Sequence, residues 1–243
     1  MDIDNILVTG GFGILGKSLI KQLLVDKKKK IFLLDRTSNK KIISSFKIKN
    51  KNFKIIKGDL RNYKTLHKLI KNKNIGTIFH FGAITQVIDA YKSPVETFDC
   101  NISGTINILE VVRSINNNIV FIYSSSDKAY GELNKKEYYE DHPLKGDYPY
   151  DVSKSASDLI AQSYSKTYGL RVGIIRSGNI YGPGDHNMDR LVPHVIISTL
   201  KNKRSVLRSN GKLIRDYLYV EDVSRAYILL MKLMFKKKKL LYI

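Results

Sequence analysis

The sequence predicts a doubly wound α/β fold, a mostly parallel sheet with helices on both faces. Three observations carry that prediction. Six short apolar runs alternate with helical patterns along most of the chain. The first run passes directly into glycines spaced G-x-x-G-x-x-G and then into an amphipathic helix. No segment repeats, and 243 residues suffice to bury a substantial core.

Ile3–Thr9 reads as a buried parallel strand. Gly10, Gly13 and Gly16 follow, with a helix expected from Lys17 to about Val25. The first glycine permits the tight turn, the second lets backbone approach a pyrophosphate, and the third lets helix and strand pack closely. The helix N-terminus adds N–H donors and positive dipole. The next strand, Ile31–Leu34, ends at Asp35, about 20 residues past the glycines, where a carboxylate can bind ribose hydroxyls and repel a 2′-phosphate. That favours NAD, although Arg36 beside it can receive such a phosphate.

Residues 37–52 are polar, a surface loop or short helix. Phe53–Ile56 is the third strand and delivers Asp59 to the edge where ligands bind in open sheets; capping the helix Tyr63–Lys71 is its other role. Thr77–His80 is the fourth strand, followed by small residues including Ala83, with His80 expected to pack in the sheet. A long helix runs from Ser93-Pro94 to about Ile115; Asn101 and Gly104 inside it need packing or a polar contact to hold them. Ile119–Tyr123, the fifth strand, delivers Ser124, Ser125 and Ser126 to the same edge. After a polar insert, Tyr150 opens a helix to Tyr168, closed by Gly169, and Leu170–Ile175 is the sixth strand. Beyond Arg176 comes a turn-rich loop, then a helix opened by Arg190, then Arg208, Arg215 and Asp216 near a last helix over Val223–Met234. Arginines converging on a cleft suit phosphate.

The formal net charge of +20 comes from 42 Lys and Arg against 22 Asp and Glu. The excess is lysine scattered over every segment, without a basic helix, interleaved aromatics or a zinc or RNA-binding signature, so no nucleic-acid partner is expected. No apolar run reaches the roughly 20 residues of a membrane span. The acidic N-terminus is unlike a signal peptide, and the one cysteine, Cys100, forms no internal disulfide. A cytoplasmic location and no metal are the expectations.

Tyr150 and Lys154 lie one helical turn apart on a shared face. A nearby ammonium and a positive nicotinamide ring would lower the phenol from its usual value of about 10. A serine hydroxyl from the strand end completes acid–base chemistry matched to hydride transfer.

With those motifs in place, the chain resembles an extended short-chain dehydrogenase/reductase of the NAD-dependent nucleotide-sugar epimerase/dehydratase group, from Ile6 to about Leu230. The resemblance rests on Thr9-Gly-Gly-Phe-Gly-Ile-Leu-Gly16, Gly58-Asp-Leu60, Asn101-Ile-Ser-Gly-Thr-Ile-Asn107, Ser124-Ser125, Tyr130-Gly131, Tyr150-x-x-x-Lys154 and Arg215-Asp-Tyr-x-Tyr-Val-Glu-Asp222. It implies a Rossmann-like sheet, with residues 1–176 binding NAD and carrying the triad Ser126, Tyr150 and Lys154. The cofactor set becomes Gly10, Phe12, Gly13, Ile14, Gly16, Asp35, Arg36, Asp59, Leu60, Ala83, Asn101, Tyr150 and Lys154. Asn179, Arg190 and Arg215 are the implied substrate contacts, and a homodimer through helices around 94–115 and 150–168 is the implied assembly.

Dehydratases of this group carry an acid and a base directly after the triad Ser or Thr, often Asp-Glu, and Ser126-Asp127-Lys128 resembles CDP-glucose 4,6-dehydratases and some UDP-N-acetylglucosamine dehydratases. Lys128 is then the base at C5 of the sugar and Asp127 the acid for the C6 hydroxyl. A turn-surface ion pair is the plain alternative for the two. A 4-epimerase needs no such pair, and an NAD-binding, non-catalytic remnant is the third reading. The family chain continues past the last helix, whereas here a lysine run closes at Ile243. The resemblance therefore implies that 177–243 is a partial, truncated substrate-binding region.

Overall fold

Seven parallel strands form the main sheet in the computed structural model, which describes residues 2–37, 44, 46, 48–132, 137–185, 187–207, 209–237 and 240–243. Their sequence spans are β1 Asp2–Thr9, β2 Lys30–Asp35, β3 Phe53–Lys57, β4 Ile75–His80, β5 Val120–Ser124, β6 Arg171–Ile175 and β9 Leu241–Tyr242. The order across the sheet is β3-β2-β1-β4-β5-β6-β9. The chain winds outward from β1 and then crosses back to β4, so the order reverses between those two strands. Ligands bind at such a reversal, outside the carboxyl ends of the strands.

Alternation along β1 divides the core. Leu7 faces a cluster built with α2 (Tyr63–Asn72), α5 (Gly104–Ile115) and α6 (Pro149–Tyr168). Ile6 and Val8 face the opposite cluster, built with α1 (Ile14–Leu23) and α8 (Val220–Lys236). With both faces covered, the inner strands are continuously apolar, which is why they were legible as plain hydrophobic runs.

Several boundaries differ from the sequence reading. Helix α1 starts at Ile14, three residues early, because the turn closes at Gly13 and Gly16 already sits inside the helix. The long helix expected from Ser93 is α4 (Pro94–Phe98) and α5 joined by a π-helical turn, Asp99–Ser103, and α3 (Val87–Lys92) precedes it. Pro149 begins α6, where a missing N–H costs nothing, and Gly169 at φ +68° ends it in the left-handed region.

The turn-rich tail gains order from pairing. β7 (Asn179–Tyr181) and β8 (Tyr217–Tyr219) form a separate two-stranded parallel sheet. Helix α7 (Leu191–Leu200) lies between them in sequence, and the last residues, read as a mere lysine run, supply β9 beside β6. Arg208 lies outside the described residues. Among the described residues no helix is long and apolar enough to cross a membrane.

Candidate active site

The glycine loop joins β1 to α1 at the strand reversal. Gly10 has φ +65°, and a Cβ there would stand 2.6 Å from the Gly82 backbone in the loop after β4. No other residue fits both constraints. Around Gly13 the space is open, its nearest would-be neighbour being the Gly10 carbonyl at 3.8 Å. A Cβ on Gly16 would stand 2.4 Å from Gly11 Cα, so the close approach this glycine permits is of helix to loop rather than to strand. No side chain caps α1, and its first turn carries no acidic residue. Its N–H groups and dipole are left for an anion. Phe12 turns its ring edge-on to Phe46 at 5.2 Å, and Ile14 packs on the same apolar cluster.

A crevice beside this loop is lined by Gly10, Asp35, Asp59, Leu60 and Ala83. Burial pushes the Asp35 carboxyl up, partly opposed by the Thr37 N–H it accepts at 2.8 Å. Arg36 pairs with Glu96 at 2.9 Å on the surface. Asp59 is gripped by Arg61 at 2.6 Å, which holds its carboxyl below the usual range. Asp59 does not cap α2; Asn62 does, accepting from the Thr65 N–H at 3.0 Å. Leu60 is buried against Gly104, where a Cβ would meet it at 2.9 Å.

Asn101 explains its place in the π turn. Its side chain accepts from the Ile84 N–H at 2.7 Å, donates to the Ile84 carbonyl at 3.0 Å and donates to Ser153 Oγ at 2.9 Å. It thus clamps the loop after β4 to α6, the polar contact that a mid-helix Asn requires. His80 packs in the sheet as expected, its ring between the Thr9 and Thr105 hydroxyls at 2.7 and 3.0 Å. Burial lowers its pKa to about 3, so the ring is neutral.

At the carboxyl end of β5 the chain enters a 3₁₀ turn, Asp127–Tyr130, and Tyr150 and Lys154 approach it from α6. The Ser126 hydroxyl donates to Asp127 Oδ1 at 2.9 Å, and the Lys128 N–H points back at Ser126 Oγ at 3.2 Å. No ion pair joins Asp127 to Lys128, both part-buried; the Lys128 N–H donates to Asp127 Oδ1 at 2.8 Å, and the Lys128 charge partly opposes the rise that burial gives the Asp151 carboxyl. Lys154, 3% exposed, donates to the Ser124 carbonyl at 2.7 Å and lies 5.1 Å from the centre of the Tyr123 ring. Burial brings its pKa down to about 8.

The Tyr150 phenol behaves differently from the expectation. Burial pushes it up to about 12, and the Ser126 hydroxyl and the Arg190 charge only partly oppose this. The Lys154 ammonium, 6.0 Å from the centre of the Tyr150 ring and bonded elsewhere, does not bring the phenol down. In the protein alone Tyr150 is a neutral phenol.

Of the substrate candidates, Arg190 comes nearest this group, since its charge reaches Tyr150 while its side chain pairs with Asp185 at 3.2 Å. Asn179 and Arg215 are exposed; Asn179 opens β7 with its N–H donating to the Asp216 carbonyl at 3.2 Å, and Arg215 lies just before β8. Sequence reasoning missed one buried pair next to the site. Asp158 on α6 and Arg176 after β6 form a bidentate ion pair at 2.8 and 3.1 Å. Its signal was an aspartate one turn beyond Lys154 on the same helix face.

Comparison with known proteins gives a consistent pattern. The family model described as GDP-mannose 4,6 dehydratase matches residues 7–240. The dTDP-D-glucose 4,6-dehydratase of Dictyostelium discoideum is 31% identical over 95% of this chain and 56% of its own length. A trifunctional UDP-glucose 4,6-dehydratase of Arabidopsis thaliana is 31% identical over 92% of this chain and 34% of its own. The chain thus spans a third to just over half of these relatives. Among solved structures, dTDP-glucose 4,6-dehydratase from Bacillus anthracis in complex with NAD has a TM-score of 0.86 and 30% identity, over 98% of this chain and 74% of that one. A UDP-N-acetylglucosamine 4-epimerase from Methanobrevibacter ruminantium M1 also scores 0.86 at 26% identity, over 100% of this chain and 77% of that one.

Proposed function

The chain belongs to the GDP-mannose 4,6 dehydratase family, and from that premise we propose that it acts as an NAD-dependent nucleotide-sugar 4,6-dehydratase, a lyase. The observation that carries this reading is Asp127-Lys128 directly after Ser126, on a turn that faces Tyr150 and Lys154. An epimerase has no use for an added acid and base at that point.

The residues around the crevice fit a dinucleotide. The uncapped start of α1 and the open space at Gly13 suit a pyrophosphate, and Asp35 suits ribose hydroxyls. Bound NAD would supply a hydride acceptor and later donor, and its positive ring would favour the phenolate of Tyr150.

The chain's own groups then divide the proton traffic. Tyr150 takes the proton of the C4 hydroxyl while the Ser126 hydroxyl turns from Asp127 Oδ1 to donate to the oxygen becoming a carbonyl. Lys154, held on the Ser124 carbonyl 6.0 Å from the centre of the Tyr150 ring, is close enough to neutrality to release a proton. A C4 carbonyl makes the C5 proton acidic. Lys128 as the free amine removes that proton, and Asp127 as the carboxylic acid protonates the departing C6 hydroxyl so that water leaves. The Lys128 ammonium returns the proton to C5 once C6 has regained hydride. Arg190, with Asn179 and Arg215, would hold the diphosphate. On this reading residues 1–176 are the cofactor-binding part and 177–243 belong to the substrate side. A homodimer through the helices around 94–115 and 150–168 accompanies it.

The test is incubation with NAD and, in turn, dTDP-glucose, UDP-glucose, CDP-glucose, GDP-mannose and UDP-N-acetylglucosamine. One of them should yield a 4-keto-6-deoxy sugar, detected by its absorbance in alkali and by mass loss of water. A C4 epimer with no keto sugar would replace the reading with a 4-epimerase.

A further inference from the structure

Arg176 leaves the end of β6 and is 3% exposed in its side chain, and its partner Asp158 is fully buried. The guanidinium does several things at once. Nε and Nη2 hold both Asp158 oxygens, while Nη1 donates to the Tyr130 hydroxyl at 2.9 Å and to the Glu140 carbonyl at 2.8 Å. The rings of Tyr130 and Tyr242 lie 5.1 and 5.0 Å from its central carbon. Asp158 sits one turn beyond Lys154 on α6, and Tyr130 ends the turn that begins with Asp127. A second tie, the Ser155 hydroxyl donating to the Ala129 carbonyl at 2.7 Å, holds the same turn to the same helix.

A buried ion pair is a poor stabilising device, because removing two charges from water costs about what their attraction returns and apolar packing does as well. What apolar groups cannot do is fix direction. A planar fork with five donors can. We propose that Arg176 is a positioning residue: one guanidinium, through Asp158 and Tyr130, holds the helix face bearing Tyr150 and Lys154 in register with the turn bearing Ser126, Asp127 and Lys128. The inference rests on the dehydratase reading for its kinetic consequences, though not for its electrostatic ones.

The electrostatic consequence falls on Lys154. Asp158 faces it from its own helix, Tyr150 likewise, Cys100 from the π turn, His80 from β4 and Tyr123 from β5. Of these, Asp158 is the carboxylate that supports the ammonium against its burial.

Two variants test this. Tyr130→Phe cuts one arm of the fork and leaves the ion pair; kcat should fall about tenfold with KM for the nucleotide sugar within about twofold. The double variant Asp158→Asn/Arg176→Met removes the pair without stranding a charge. In ¹³C-lysine NMR its Lys154 should titrate lower than the wild-type lysine by about half a unit or more, and the alkaline limb of the kcat profile should move to lower pH with it. Wild-type kcat in folded Tyr130→Phe, or an unmoved Lys154 titration in the folded double variant, overturns the proposal, even if the melting temperature drops. Should the double variant not fold, Tyr130→Phe decides. Should the wild-type protein turn over no nucleotide sugar, the functional reading fails and the NMR titration decides alone.

Discussion

Tyr150 carries two opposing demands. Its burial favours the neutral phenol, with a pKa near 12, whereas taking a proton from a sugar hydroxyl requires the phenolate. The protein supplies the position, and the positive charge has to come with the cofactor. Replacing Tyr150 by Phe should therefore abolish turnover, by at least about a thousandfold, while NAD binding by calorimetry stays within about twofold. Near-wild-type activity would assign the base elsewhere. Lys128 acts later. In Lys128→Ala, oxidation at C4 should proceed, visible as NADH absorbance in a single turnover, while loss of water stalls; an undiminished yield of 4-keto-6-deoxy sugar would remove its role. The place of Ser126 at a strand end was readable from order alone, whereas the acid and base roles of Asp127 and Lys128 came only from the resemblance. The Asp158–Arg176 pair was not readable, since its partners lie 18 residues apart on different elements.

Among the elements, the loop between β1 and α1 and the π turn before α5 are each built around a local exception. Gly16→Val would drive a side chain into Gly11, whose Cα stands 2.4 Å from the position of a Cβ. The helix must move, and its N-terminus moves with it. Expected are a loss of about 1–3 kcal/mol in chemical denaturation and an NAD affinity weakened at least tenfold. Unchanged affinity would mean that α1 does not hold the pyrophosphate. The π turn illustrates the reverse case. Asn101 was legible as a misfit in a helix, yet nothing local says that Ile84 and Ser153 are its partners. Those contacts come from β4 and α6 arriving at the same point.

For the molecule as a whole, the sheet buries one imidazole that must stay neutral. His80 titrates near 3 when folded and near 6.5 when unfolded. Between those values the unfolded chain holds a proton that the folded one lacks, so stability is complete above about pH 6.5 and falls with pH below it. From pH 6.5 to 5.5, above the range where carboxylates titrate, the loss should be about 1 kcal/mol, roughly 2–4 °C in melting temperature. His80→Gln, less stable at pH 7, should lack that slope; the same slope in the variant would place its origin in another group.

The parallel sheet, the glycine turn at its reversal and the short segments that carry Ser126, Asp127, Lys128, Tyr150 and Lys154 follow from residue order. Each rests on a local rule: apolar runs buried on two faces, glycine where a Cβ would collide, side chains one helical turn apart. Tertiary structure alone decided what the charges of those groups do. Tyr150 is pushed up rather than down because burial outweighs an ammonium bonded to the Ser124 carbonyl. The last residues became β9 because the edge of β6 was there to pair with. Desolvation and long-range pairing depend on what arrives from distant parts of the chain, and spacing along the sequence does not record that.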